Sequence, residues 1–227
     1  MSNRYDRLLS LSSFSKEDLK TLHSKKILIL GVGGVGQHIA TYLVTNGIEH
    51  LTIVDYDKVE ISNLNRQILL SELDVGKPKV DIVKKALSDR NREANILSIN
   101  LKIDKNNADA IISNSYDVVV DALDNWKGKL IIADTCNEKH IPLLHVGVDG
   151  MSGQFCIFKE HTLRSIVPPE IEKEARDGVM GPVVGAVSSM AATYLIEFLL
   201  NKKEPDVLIA SDFEQNKINS IALKKPA

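Results

Sequence analysis

Lys26 to Gly36 reads KILILGVGGVG, and Leu51 to Asp55 follows as LTIVD. The apolar run Lys26–Leu30, bounded by charge on one side and glycine on the other, predicts a strand buried on both faces. Glycines at 31, 33 and 36 allow a tight turn and let an anion approach backbone amides. Gln37–Thr45 continues as a helix ended by Asn46-Gly47, and its start would offer unsatisfied N–H groups to a phosphate. Asp55 closes the next strand, where an acid can bond ribose hydroxyls. Strand, glycine turn, helix, strand and acid together point to a Rossmann-like nucleotide site. The loop by itself does not choose between NAD and ATP.

Working outward, the rest of the chain alternates in the same way. A helix opens at Pro78 with Val80, Val83 and Leu87 at helical spacing, and Ile96–Leu101 reads as a strand. Asn107–Ser113 reads as a short helix, Asp117–Ala122 as a buried strand, and 129–139 as a helix. Leu143–Val148 is strand again, with Gln154–Phe158 as an antiparallel addition. The stretch 161–182, with Pro168-Pro169 and Gly181-Pro182, reads as a lid or crossover loop. Val183–Asn201 forms a long apolar helix before two short strands near Val207–Ala210 and Ile218–Leu223. The expected architecture is one α/β domain over 1–227, a doubly wound and mostly parallel sheet with an antiparallel C-terminal extension.

Composition narrows the function classes. Hydrophobic residues at 44% and charged residues at 26% describe an ordinary globular chain, and a net charge of −2 gives no bias toward nucleic acid or an anionic membrane. The polar, Arg-containing start does not read as a signal peptide, and no uninterrupted apolar run reaches the roughly 20 residues of a membrane span. A cytoplasmic location is the expectation. Two cysteines, Cys136 and Cys156, are too few for a four-thiolate zinc site or a disulfide scaffold.

Three further segments carry chemistry. Ser62-Asn63-Leu64-Asn65-Arg66-Gln67 follows the second strand, at the edge where open α/β sheets bind ligands. Gly76-Lys77-Pro78-Lys79 leads into the next helix. Arg66 and Lys79 on one side of a phosphate loop suit a triphosphate better than a dinucleotide, because more charge must be neutralised. Asp121-Ala122-Leu123-Asp124-Asn125 ends a strand; Asp124 is placed either to hold Mg²⁺ against a polyphosphate or, with Asn125, to cap the next helix.

Taken in order, these pieces resemble the ThiF/MoeB/HesA group, bacterial relatives of ubiquitin-activating (E1-type) enzymes. Arg4-Tyr5-Asp6-Arg7, Asp55-Tyr56-Asp57 and Gly178-Val179-Met180-Gly181-Pro182 belong to the same ordered set. The resemblance implies ATP- and Mg²⁺-dependent adenylation of the C-terminal carboxylate of a small carrier protein or peptide with a Gly-Gly-like tail, with release of pyrophosphate. It implies that Gly34 contacts the nucleotide, Asp55 the ribose hydroxyls, and Asn63, Arg66 and Lys79 the phosphates; Gly31, Gly33, Gly36, Asp57, Ser62, Gln67 and Asn125 complete the expected cofactor-binding set. Asp124, beside Asn125, is implied as the central magnesium-holding acid, and Arg7 as an arginine that serves the neighbouring subunit of a homodimer. Attack of one anion on another needs this cationic surround, and a carboxylate already ionised needs no general base.

The chain also departs from its likeness. Many relatives carry Cys-x-x-Cys zinc pairs, where this chain has Thr162-Leu163-Arg164-Ser165 and Lys224-Lys225-Pro226-Ala227, so no zinc is expected. The lid segment Glu170–Asp177 holds no cysteine for a thioester, and Cys136 and Cys156 are expected to be buried hydrophobes. Lys129 stands where an arginine is usual. His145 is expected to be a hydrogen-bonded interior histidine, and Trp126 to wall the cleft or pack in the core. An E1-like tRNA-modifying dehydratase, an NAD-dependent oxidoreductase and a non-catalytic nucleotide-binding partner remain the alternatives. Nucleic acid is the less expected ligand, since the total charge is near neutral.

Overall fold

In a computed structural model, residues 4–167 and 178–224 are described. Eight strands form one sheet in the order β3-β2-β1-β4-β5-β6-β7-β8. They are β1 (Lys26–Leu30), β2 (His50–Asp55), β3 (Asn95–Asn100), β4 (Val118–Asp121), β5 (Leu143–Asp149), β6 (Ser152–Phe158), β7 (Val207–Asp212) and β8 (Lys217–Ala222). Strands β3, β2, β1, β4 and β5 run parallel, and β6, β7 and β8 add on antiparallel. The chain therefore has the expected doubly wound sheet with an antiparallel extension.

Helices α1 (Asp6–Leu9), α2 (Lys16–Ser24), α3 (Gly34–Thr45), α4 (Lys79–Arg90), α5 (Ala108–Ile111), α6 (Trp126–Glu138) and α7 (Gly181–Leu199) cover its faces. β1 shows why the sequence folds this way. Side chains alternate across a strand, so Ile27 and Ile29 join the core under α3, α4 and α7, while Leu28 and Leu30 join the core under α5 and α6. All four are fully buried, each worth roughly 1.5–3 kcal/mol of burial.

The sheet differs from expectation mainly at element ends. The helix expected over 129–139 starts three residues earlier, because the Asn125 side chain caps it by accepting the Gly128 N–H at 2.8 Å. α2 went unread; it is short and polar, but Ser15 and Asp18 form a capping box, and Leu19 and Leu22 anchor its inner face. Of the expected lid 161–182, residues 168–177 lie outside the described residues. Its last part is helical, since Gly181-Pro182 opens α7 with Pro in the first turn.

The expectation that nothing is apolar enough for a membrane span needs correction. α7, at 19 residues, meets that test by length and composition. Its Gly, Ser and Thr positions interrupt an unbroken apolar run without making it polar. In the fold its inner face packs on α3, β5 and β6, and Val183, Val184, Val187, Ala191 and Leu195 are buried there.

Two glycines let the sheet and α3 meet. A methyl group at Gly36 would sit 2.0 Å from the Gly31 carbonyl oxygen, and Gly31 itself has φ +94°. By contrast, a methyl at Gly33 would come no nearer than 3.8 Å to the Gln67 amide. Gly36→Ala is therefore expected to lower unfolding stability by about 1–3 kcal/mol or more, while Gly33→Ala keeps its urea midpoint near wild type. Equal midpoints for wild type and Gly36→Ala would refute this close packing.

Candidate functional site

The strand order reverses between β1 and β4, and at such a switch point open α/β sheets bind ligands in the crevice at the carboxyl ends of their parallel strands. The glycine loop after β1 and the turn after β4 flank it. They touch: a methyl at Gly31 would meet the Ala122 carbonyl oxygen at 2.7 Å. α3 opens from Gly33 with no side-chain cap, so its first amides are left to a ligand.

Asp55 shapes the loop from β2. Its Oδ2 accepts the Val32 N–H at 2.8 Å and its Oδ1 accepts the Asp57 N–H at 2.8 Å. Burial raises the Asp55 carboxyl above its ordinary value, and these two amide bonds offset only part of that rise. The residue expected at the ribose thus also pins the phosphate loop. Asp57 holds Lys79 at 2.9 Å, and the Lys79 N–H bonds back to the Asp57 carbonyl. With its side chain only 7% exposed, Lys79 is a buried cation at the start of α4, not a solvated surface charge.

The segment 62–67 reaches the loop through Arg66 and Gln67. A methyl at Gly34 would lie 3.2 Å from Arg66 Cγ and 3.0 Å from Val184 Cγ1, so both side chains border the loop mouth. The Arg66 guanidinium donates to the Ser62 carbonyl and to Asn65 Oδ1, each at 2.9 Å, and so folds back on its own turn. Asn63 is buried, with Oδ1 accepting the Glu60 N–H, while Ser62 is exposed and donates to Glu60. Gln67 is buried, its Oε1 3.4 Å from Gln37 Nε2. Sequence reasoning missed Gln37, which donates to the Val32 carbonyl and accepts the Leu69 N–H, both at 2.9 Å. A glutamine on an otherwise apolar helix was its signal. The start of α7 also belongs here, since a methyl at Gly181 would strike the Asn65 carbonyl at 2.2 Å.

On the opposite wall, Asp124 is exposed, two residues past the Ala122 contact, with its Oδ1 3.4 Å from Asn125 Nδ2. Asn125 is the cap of α6, so capping falls to the asparagine and leaves the carboxylate available. The described residues hold no group of three or more His, Cys, Asp or Glu suited to a metal. A lone carboxylate agrees with magnesium, which one or two carboxylates hold together with substrate phosphates.

Arg7 is exposed, and the residues just before it dock away from the glycine loop. Its neighbour Arg4 donates to the Arg90 carbonyl, and Asn91 joins Tyr5 to the Val44 carbonyl. Val44 lies ten residues along α3 from Gly34, about 15 Å at 1.5 Å per residue. Exposed Arg7 thus sits toward the far end of α3. Lys129 is not at the phosphates either. It is buried and donates to Asp121 Oδ2 at 3.1 Å and to the Val146 carbonyl at 2.9 Å. His145 is interior and bonds Asp121, and Trp126 stacks on it.

At the positions of the first expected cysteine pair, Thr162 and Ser165 bond within their own turn, with Ser165 Oγ donating to the Thr162 carbonyl at 2.7 Å. Residues 225–227 lie outside the described residues. Cys136 and Cys156 are buried, and burial pushes both thiols up to about 12. Neither is a ready nucleophile. Both are expected to resist iodoacetamide at pH 8 in the folded chain and to react once it is unfolded, read by mass spectrometry. Rapid labelling of the native chain would contradict this.

Known proteins resemble this chain in sequence and in fold. The chain is 31% identical over 213 residues to the SAMP-activating enzyme E1 of Haloferax volcanii, covering 89% of this chain and 77% of that one. It is 32% identical over 204 residues to the molybdopterin-synthase adenylyltransferase of Haemophilus influenzae, covering 87% and 84%. The crystal structure of E. coli MccB with ATP is similar at a TM-score of 0.87 and 26% identity, over 99% of this chain and 73% of that one. The profile of the ThiF family matches residues 5–227, and the chain belongs to that family.

Proposed function

We infer that the chain is an adenylyltransferase that uses ATP to activate the C-terminal carboxylate of a small carrier protein or peptide as an acyl-adenylate, releasing pyrophosphate. The observation that carries this reading is the crevice itself. Arg66 packs beside Gly34 at the loop mouth, the turn that carries exposed Asp124 meets the same loop through Ala122, and Lys79 is held by Asp57 just past the end of β2. The relatives support it by name: one is an adenylyltransferase, another activates SAMP, and MccB has been solved with ATP and with MccA.

In the proposed reaction the amides at the start of α3 receive phosphate oxygens, and Asp55 turns toward the ribose while it holds Val32. Lys79 exchanges its contact with Asp57 for polyphosphate, and Arg66 swings from Ser62 and Asn65 to the same charge. Lys79 trades one anionic partner for another, and Arg66 trades two neutral oxygen acceptors for anionic ones, so each cation reaches the phosphates from a partner within the protein. Mg²⁺, held by Asp124 and phosphate oxygens, would offset charge as the pyrophosphate departs. The carrier carboxylate, already ionised, attacks the α-phosphorus without a general base.

The reading extends to a homodimer in which Arg7, remote from its own crevice, completes that of a second copy, and it places the reaction in the cytoplasm, where ATP is held. A carrier tail ending in Gly-Gly suits a narrow approach to the α-phosphate, since glycine adds no side chain beside the reacting carboxylate.

The test is ATP–pyrophosphate exchange with a panel of small proteins and peptides ending in Gly-Gly. Wild type is expected to exchange only with a matching carrier, and Asp124→Ala to lose at least about a hundredfold. Full exchange by Asp124→Ala would remove that residue from the chemistry. Preference for NAD over ATP in direct binding would overturn the reading itself.

A further inference from the structure

Directly behind the turn that carries Asp124 lies a buried polar knot that the reaction does not use. Asp121, the last residue of β4, and His145 on β5 are fully buried, and the Lys129 side chain is 7% exposed. Asp121 Oδ2 receives Lys129 Nζ at 3.1 Å and His145 Nδ1 at 2.9 Å. Its other oxygen accepts the Leu123 N–H at 3.2 Å, inside the turn and next to Asp124. Lys129 also grips the Val146 carbonyl at 2.9 Å, so one cation joins α6, β4 and β5.

The charges in this knot are fixed. Burial pushes the Asp121 carboxyl up, but the Lys129 charge and the His145 bond outweigh it and hold the group below its ordinary value. Burial pushes His145 down, with Lys129 adding to that, so the ring stays neutral and donates from Nδ1. Its Nε2 has no partner, and Trp126, the first residue of α6, stacks on the ring with centroids 6.0 Å apart.

A buried ion pair is seldom the most stable filling of a core, since apolar residues of similar size often do as well. What apolar residues cannot supply is a directed acceptor for the Leu123 amide. The other end of the same turn is fixed by Asn125, which caps α6. Asp124 stands between these two anchors.

We propose that Asp121, Lys129 and His145 form a positioning network that sets the 122–125 turn, and so aims the Asp124 carboxylate at the metal–phosphate position. None of the three touches the nucleotide; they act through the turn. The inference rests on the role proposed for Asp124. It also gives a reason for a buried cation at position 129: one side chain must serve a carboxylate oxygen and a carbonyl at once, which lysine does here and which arginine has donors enough to do.

The test uses the full chain and two readouts that do not need the carrier. Hydrogen exchange of the nucleotide-free protein reports the turn, and Mn²⁺ titration followed by EPR in the presence of ATP reports the metal position. Lys129→Met is expected to fold, to exchange the amides of 122–126 about tenfold faster while β1 and β2 stay protected, and to weaken Mn²⁺ binding by as much as about 10²-fold. Nucleotide affinity without metal stays within about twofold of wild type, because the glycine loop is untouched. Lys129→Arg restores both readouts. Should Lys129→Met fail to fold, with Asp121 left unpaired, the neutral Asp121→Asn/Lys129→Met double variant takes its place. Wild-type protection of 122–126 together with wild-type Mn²⁺ affinity in a folded variant would overturn the network's positioning role. Asp124→Ala separates the two ideas: if it leaves Mn²⁺ affinity unchanged, the reading of Asp124 fails, while the exchange data still judge the network.

Discussion

The close approach of two backbone segments at the reversal of strand order governs the rest of the structure. Gly31 meets the Ala122 carbonyl, and Gly36 meets the Gly31 carbonyl, at separations that leave no room for a side chain. These contacts bring the start of α3, with its uncapped amides, beside the turn that carries Asp124. A phosphate seated on those amides is thereby placed near the carboxylate. The two walls of the crevice are set by packing, before any ligand is present.

Around that contact, polar side chains that look like ligand groups spend part of their bonding on the protein itself. Asp55 steadies Val32, Asp57 holds Lys79, and Gln37 links Val32 to Leu69. Such internal partners keep buried charges and amides satisfied and spare the fold the cost of an unpaired buried group. In the proposed reaction they also make the cations ready: Lys79 would leave Asp57, and Arg66 would leave Ser62 and Asn65, for polyphosphate. Preorganisation of this kind is the source of most electrostatic catalysis.

The sequence carried the sheet well because its signals are local. KILIL and DVVVDA are buried strands by their own composition, and the glycine spacing marks the turn between β1 and α3. What it could not carry were bonds between distant residues. Nothing local to Lys129 says that its ammonium turns inward to Asp121 and Val146, since a lysine on a helix is ordinarily a surface charge. Gln37 hid for the same reason. Asp124 and Asn125 were two readings of one pair until the fold gave the cap to Asn125 and left Asp124 in the open. Arg7 was legible as a residue type but not as a position, because its distance from the crevice depends on where α1 docks against α4.

The central claim is that one triphosphate sits between the α3 amides and Asp124 at this crevice. A crystal structure of the chain with a non-cleavable ATP analogue, methylene-bridged between the α- and β-phosphorus, measures it directly. The account predicts phosphate oxygens within hydrogen-bonding distance of the Gly33–Gly34 amides, Lys79 and Arg66 drawn onto the polyphosphate, and Asp124 on a metal beside it. A nucleotide bound elsewhere, or bound here with Arg66, Lys79 and Asp124 all still turned to their present partners, would contradict it.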